Sequence, residues 1–243
     1  MHTALAIEFL LGPVVLLSLL RVTAPYGRHF KPGWGLTLPN RLAWVLMELP
    51  ALLMITIMVM HDAAVRQAVI AIPLALWIIH YGYRSFVFPL LMRPSQKTFP
   101  AQLVVYAVAF NLLNGFNNGV ALIANAQQPW LTWNLVIGVM IFASGFLIHV
   151  QSDAIIRNLR QPGDQAYHVP VGGLFRWVSS PQYLGEIIQW CGWAILTWSL
   201  AGLAFALFTA CNLVPRAIAN QHWYVKTFSD YPRQRKILVP GIF

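Results

Sequence analysis

Leu42-Ala43-Trp44-Val45-Leu46-Met47-Glu48-Leu49-Pro50-Ala51-Leu52-Leu53-Met54-Ile55-Thr56-Ile57-Met58-Val59-Met60 is an apolar run with one carboxylate in it. A membrane-spanning helix needs about 20 predominantly apolar residues, and this stretch supplies them. On either side of it, comparable runs recur along the chain: Thr3–Leu20, Ala63–Leu91, Pro100–Ala124, Leu131–Ile156, Pro181–Trp198 and Ala201–Pro215. The last two form one apolar stretch, too long for a single straight helix at about 1.5 Å per residue. Ser199 to Gly202 is the expected turn between them. The expected fold class is all-α: a polytopic integral membrane protein with seven transmembrane helices, in one membrane domain over residues 1–243.

Composition excludes a soluble domain. Hydrophobic residues make up 58% of the chain and charged residues 9%, against roughly 25% charged in a soluble domain. Ten tryptophans suit a chain with two water–lipid interfaces. The net charge of +9 would by itself suggest a nucleic-acid partner, but the placement of the basic residues has another cause. With the N-terminus outside and sides alternating, every one of the 16 Lys and Arg residues except Arg66 falls on the inner side or an inner helix end. This is the positive-inside pattern. It implies a cytoplasmic C-terminus, the lipid bilayer as partner, and no nucleic acid. In a bacterial cell the membrane would be the inner one, in a eukaryotic cell the endoplasmic reticulum. The N-terminal run lacks the basic region of a cleaved signal. Cys191 and Cys211 lie in apolar runs without metal-ligand spacing, and are expected to be buried structural thiols with no metal. The inner connections Arg21–Arg41, Met92–Phe99 and Arg157–Ser180, with the tail Gln221–Phe243, are longer or more polar than the outer ones. A water-soluble cofactor should therefore meet the inner face.

Ionisable groups at membrane depth are costly and mark functional positions. Glu48 is one. In the third run His80, Tyr81 and Arg84 fall within one helical turn, where all three can share a face. The fifth run ends on His149, Asp153, Arg157 and Arg160, at spacings of four, four and three. That is a continuous polar stripe, as in the wall of a polar cavity. Beyond a Pro/Gly-rich loop carrying Tyr167 and His168, Ser180-Pro181 reads as an N-cap with proline at the first helical position. Gln182, Glu186 and Trp190 then repeat at intervals of four, as do Arg216, Asn220 and Tyr224 in the last run. Arginine forks suit phosphate oxygens, so the expected ligand of these three stripes is large and anionic, such as a phosphorylated cofactor. The glycine pair at Gly172 is no GxGxxG fingerprint, and nothing reads as a βαβ unit. A basic rim for lipid headgroups accounts for the arginines but not for Asp153, Glu186 and Gln182.

The run Leu184-Gly185-Glu186-Ile187-Ile188-Gln189-Trp190-Cys191-Gly192, with Thr197-Trp198-Ser199-Leu200, resembles the C-terminal domain of the steroid 5α-reductase family. So does the tail Phe228-Ser229-Asp230-Tyr231-Pro232-Arg233-Gln234-Arg235-Lys236, ending Val239-Pro240-Gly241-Ile242-Phe243. Glu48-Leu49-Pro50, and His80-Tyr81 followed by Arg84-Ser85-Phe86-Val87, are similar to the same family. The resemblance runs from about Tyr26 to the C-terminus. It implies a seven-helix membrane enzyme that reduces the C4–C5 double bond of 3-oxo-Δ4 steroids with NADPH, hydride going to C5. It implies that Glu48 and Tyr81 hold the steroid C3 carbonyl, and that Trp44 and Phe110 line the apolar steroid pocket. Asp153, Arg160, Tyr167, Glu186, Arg216 and Tyr224 match cofactor-contacting positions. Tyr26, Arg28, Arg84 and Arg93 join them around the phosphates or adenosine, and His168, beside Tyr167, is expected to bind the cofactor as well. His149, Gln182 and Asn220 fall at cofactor positions where the mammalian members have Asn, Asn and His. Asn212 replaces an aromatic of the steroid pocket. Residues 1–126 are then the substrate side and residues 127–243 the cofactor half, in a chain expected to be monomeric.

The chemistry of an enone agrees. Hydride addition at C5 drives electrons onto the C3 oxygen, and a donor aimed at that charge lowers the barrier. Tyr81 is the natural donor, with Glu48 either donating as an acid or orienting Tyr81. Other readings are a reductase of another enone or polyprenyl lipid, a membrane methyltransferase of the isoprenylcysteine type using S-adenosylmethionine, and a non-catalytic lipid-binding protein.

Overall fold

A computed structural model describes residues 2–62, 68–93, 98–126, 132–159, 164 and 166–243. The elements follow the apolar runs: α1 (His2–Arg21), α2 (Asn40–His61), α3 (Ala68–Gly82), α4 (Phe88–Leu91), α5 (Ala101–Ala124), α6 (Trp133–Asn158), α7 (Pro181–Thr197) and α8 (Leu200–Thr227). A π-helical turn, Tyr83–Val87, joins α3 to α4 without a break. Six helical stretches among the described residues are long and apolar enough to cross a membrane: His2–Arg21, Asn40–His61, Ile70–Leu91, Ala101–Ala124, Trp133–Asn158 and Leu200–Thr227. The protein is an all-α polytopic membrane protein. Helix α7 has 17 residues, about 25 Å at the standard rise, and is one of the most buried.

Apolar side chains cover the outside of the bundle, and in α1 Glu8 and Gly12 alone are buried, the rest being exposed or half-buried. That surface suits hydrocarbon, in which every backbone polar group must be bonded inside the protein. Interior prolines are tolerated on the same terms. Pro50 interrupts the ladder of α2, and neighbouring side chains bond its carbonyls on either side. Asn111 Nδ2 donates to the Met47 carbonyl at 2.6 Å, and Trp77 Nε1 donates to that of Ala51 at 3.0 Å.

The tightest contact is between α6 and α7. A Cβ on Gly185 would lie 2.6 Å from the His149 nitrogen, and one on Gly145 would run into the backbone of Gln189. Only glycine lets these two backbones come so close, as small residues do at membrane helix seams. Trp77, Trp190, Trp193 and Phe205 pack beside the seam, with Trp190 and Phe205 ring centroids 4.2 Å apart.

Several sequence expectations are corrected. The last helix runs past the apolar stretch that ends at Pro215, on to Thr227, so Arg216, Asn220 and Tyr224 are helical as their spacing implied; in a packed membrane helix, proline need not terminate. The turn at Ser199 stands: Trp198 is left-handed (φ 45°), and Ser199 Oγ accepts from the Gly202 nitrogen at 3.0 Å. Pro181 does occupy the first helical turn, but the Ser180 side chain caps nothing. Its oxygen instead accepts from Asn220 Nδ2 of α8 at 3.2 Å. Cys191 is exposed and Cys211 half-buried, because an apolar residue of a membrane helix can face lipid as readily as core. Two short strands went unread, β1 (Thr37–Pro39) and β2 (Thr98–Pro100). They pair antiparallel with Leu38 opposite Phe99, tying the entry of α2 to that of α5. The starts of the runs at Ala63 and Leu131 lie outside the described residues.

Substituting Gly145→Leu should force α6 from α7 and cost about 3 kcal/mol or more of stability. Gly12→Ala, whose new Cβ would meet Cys211 Sγ at an ordinary 3.5 Å, should melt close to the parent. Thermal unfolding in detergent compares the two; equal melting points would contradict the close-packed seam.

Candidate functional site

Polar side chains gather at the end of the bundle where α2, α5 and α7 begin and where α6 and α8 end. Glu48 comes from the middle of α2. Its Oε1 accepts from Arg84 Nη2 at 2.9 Å and from Arg84 Nε at 3.2 Å. No described protein donor reaches Oε2. The two side chains are 14% and 9% exposed, so the ion pair sits in a low-dielectric surround where removing either partner is strongly destabilising. The Arg84 guanidinium lies 4.3 Å from the Trp44 ring and 5.1 Å from Phe88.

The three residues expected on one face take different partners. Arg84 turns to α2, whereas His80 Nδ1 meets Gln189 Nε2 of α7 at 2.8 Å. Tyr81 packs between Trp77 and Trp190, and its oxygen accepts from Asn114 Nδ2 of α5 at 3.4 Å. No hydrogen bond joins Glu48 to Tyr81 among the described residues. Phe110 stacks on Phe208 of α8 with centroids 3.6 Å apart.

The glycine seam places the ends of α6 and α7 against each other. His149 Nε2 lies 3.3 Å from Asp153 Oδ2, and Nδ1 lies 3.6 Å from Glu186 Oε2 and 3.2 Å from the Gln182 carbonyl. From α8, Arg216 Nε donates to the Tyr183 hydroxyl at 3.3 Å, and its guanidinium lies 4.0 Å over the Tyr26 ring. Asn220 bridges Ser180 and His29, its Oδ1 lying 3.0 Å from His29 Nε2. Arg28 stands over the rings of Tyr224 and Trp223 at 4.5 and 5.1 Å. Tyr167 meets the Trp223 ring at 5.1 Å.

The buried atoms without a hydrogen-bond partner are informative. They include Gln182 Oε1, Arg216 Nη1 and Arg28 Nη1, and also His149 Nε2 and Asp153 Oδ2, which face each other at 3.3 Å without a well-aligned hydrogen bond. Orphaned buried polar atoms are costly, and these belong to the three stripes and the Tyr26–His29 segment. Acceptors at Asp153 and Gln182, with guanidinium donors at Arg216 and Arg28, suit a ligand bearing hydroxyls and phosphates. Outside the spans, burial pushes the Tyr26 hydroxyl up to about 12, with Arg216 opposing, so the phenol stays protonated. Burial also holds His29 down at about 4, aided by Arg216, Arg28 and Lys31 and opposed by the Asn220 contact.

Two expected members are apart from this group. Arg93 Nε donates to the Arg157 carbonyl at 3.1 Å, and His168 pairs with Asp164 at 2.6 Å near the surface. Arg160 lies outside the described residues. Sequence reading overlooked Glu8, fully buried in α1, and the asparagines of α5. Glu8 Oε2 accepts from Asn117 Nδ2 at 2.6 Å. The available signal was four asparagines, Asn111, Asn114, Asn117 and Asn118, inside an otherwise apolar helix.

The bundle is a polytopic one that buries carboxylate, amide and guanidinium groups together at one end. Residues 97–243 match the family described as 3-oxo-5-alpha-steroid 4-dehydrogenase. Among its relatives, 3-oxo-5-alpha-steroid 4-dehydrogenase 1 of Macaca fascicularis is 39% identical, the alignment covering 100% of this chain and 94% of the relative. The human protein of that name is 40% identical, over 90% of this chain and 86% of the relative. Steroid 5-alpha-reductase DET2 of Solanum lycopersicum is 39% identical, over 91% and 88%. The chain belongs to the 3-oxo-5-alpha-steroid 4-dehydrogenase family, and it is an oxidoreductase of that family.

The low value at His29 gives a pH prediction. The unfolded chain binds that proton near the ordinary 6.5 and the folded chain only near 4. Stability is therefore full above about pH 6.5 and is lost as pH falls toward 4. Melting temperature should drop over that window, and less so in His29→Gln. Parallel pH curves for the two proteins would contradict the assignment.

Proposed function

We propose that this protein reduces the C4–C5 double bond of 3-oxo-Δ4 steroids to the 5α-dihydro product with NADPH. What supports the reading is a buried Tyr81, three residues before the Arg84 that pairs with Glu48, together with the polar groups gathered from α6, α7 and α8, in a chain of this family. NADPH, when bound, supplies the hydride that reaches C5 of the enone, and a proton added at C4 completes the reduction. All else falls to the protein.

Tyr81 donates to the C3 oxygen, where negative charge builds as C5 accepts hydride. Glu48, paired with Arg84, fixes that guanidinium against Trp44 and closes the carbonyl end of the pocket. Trp44 and Phe110 give its apolar walls, and the substrate's rings replace lipid there. His149, Asp153, Gln182 and Glu186 hold the ribose and carboxamide part of the cofactor. Arg216, Arg28 and Arg160 neutralise its phosphates, with Tyr26, Tyr167, Asn220 and Tyr224 packing its flat or polar surfaces. Arg93 and His168 are assigned to the rim. Residues 1–126 then serve the steroid and residues 127–243 the cofactor. The topology we assign has α7 as a seventh span and the C-terminus in the cytoplasm, so that NADPH enters from that side. The steroid arrives through the bilayer, and a single chain carries a complete site.

Purified protein in detergent should oxidise NADPH only when testosterone or progesterone is added, with one steroid reduced per NADPH consumed. Tyr81→Phe should lower kcat roughly 100-fold while leaving NADPH binding intact, and Arg216→Ala should chiefly weaken NADPH binding. Steroid-independent oxidation, or unchanged turnover in Tyr81→Phe, would sink the reading. Binding of S-adenosylmethionine in place of NADPH would point to a methyltransferase.

A further inference from the structure

Beyond the carbonyl site, a chain of hydrogen bonds crosses the bundle and ends on Tyr81. Trp193 Nε1 of α7 donates to Asn118 Oδ1 at 2.7 Å. Asn118 Nδ2 donates to Asn114 Oδ1, also at 2.7 Å. Asn114 Nδ2 then donates to the Tyr81 oxygen at 3.4 Å. All four residues are essentially inaccessible, at 0, 1, 0 and 2% exposure in that order.

The direction of this chain follows from its first member. An indole N–H can only donate. Asn118 must therefore turn its oxygen to Trp193, which aims its NH2 at Asn114. Asn114 must then accept through Oδ1, which aims its own NH2 at Tyr81. The Tyr81 oxygen is the last acceptor, and its O–H remains free to donate elsewhere. Were the Asn114 amide reversed, its oxygen would face Tyr81 and capture that proton.

We infer that Trp193, Asn118 and Asn114 are positioning residues for Tyr81: they orient its hydroxyl proton toward the carbonyl oxygen of an enone substrate and strengthen it as a donor. The inference rests on the proposed role of Tyr81 at the C3 oxygen. In a low-dielectric interior, hydrogen bonds in series polarise one another. Each N–H given upstream draws electron density from the Tyr81 oxygen, so its own bond strengthens as charge develops on the substrate. A donor held in place before the reaction needs no reorganisation when that charge appears. The site is thus selective for a hydrogen-bond acceptor at the reacting end of the substrate.

Steady-state kinetics with NADPH and progesterone on the full-length protein test this. Trp193→Phe keeps an aromatic ring in the cluster while deleting the N–H with the smaller ring that bears it; kcat should fall roughly tenfold, the worth of one hydrogen bond, with steroid KM and NADPH affinity unchanged. Asn118→Asp still accepts from Trp193 but cannot donate to Asn114, so the Asn114 amide reverses and kcat should fall roughly 100-fold. In a Tyr81→Phe background neither substitution should lower kcat further. Parent-like kcat in both variants, with Tyr81→Phe impaired, overturns the relay and leaves the carbonyl site standing. Parent-like kcat in Tyr81→Phe removes the carbonyl site and the relay with it. A joint loss of NADPH affinity and steroid KM in Trp193→Phe would show a merely structural role and also overturn the inference. If Asn118→Asp fails to bind NADPH, Trp193→Phe decides alone.

Discussion

The approach of α6 to α7 at Gly145 and Gly185 is the constraint on which the rest of the site depends. A methyl group at either position would meet the opposite backbone. With the two backbones in contact, side chains within about two turns of these glycines, His149 and Asp153 on one helix and Gln182 and Glu186 on the other, are driven into a single polar group. A wider spacing filled by larger side chains would leave these groups separate in hydrocarbon. In lipid there is no hydrophobic drive to bring helices together, so close packing and polar contacts supply the association.

Polar groups inside the bundle are arranged so that each helix is tied to the next. Asn111 bonds α2, Asn114 meets Tyr81 on α3, Asn117 holds Glu8 on α1, and Asn118 takes the indole of Trp193 on α7. Helix α5 is thus the polar hub of an otherwise apolar assembly. The Glu48–Arg84 pair serves the same end between α2 and the π-turn. These bonds tie the helices that carry the aromatic cluster around Trp77 and Trp190. Rigid placement of Tyr81 follows from contacts on two sides, rings on one and an amide on the other.

Much of the fold was legible because the bilayer imposes a simple code. Runs such as Leu42–Met60 and Pro100–Ala124 lie within a residue or two of α2 and α5. The stripes on α6, α7 and α8 were legible because intervals of four mark one face, and the faces do converge. What escaped is what periodicity cannot carry. The apolar stretch stops at Pro215 although α8 does not, because hydropathy marks the lipid-facing part of a helix and not its polar continuation. Cys191 read as buried because apolar sequence does not distinguish lipid from core. Arg84 lies in a π-turn that has no sequence signature, so its pairing with Glu48 could not be read from spacing. The asparagines of α5 carry no charge and drew no notice, though at membrane depth an amide without a partner is costly as well. Partner choice across the bundle is a three-dimensional fact.

The central claim is that hydride passes from the cofactor to C5 of a steroid enone whose C3 oxygen is held by Tyr81. It is tested most directly by turnover with NADPH deuterated at the transferring position of the nicotinamide. NMR and mass spectrometry then locate the label in the reduced steroid. The account predicts one deuterium per product molecule, at C5 and on the α face. Deuterium at C4, or an unlabelled reduced product, would contradict it.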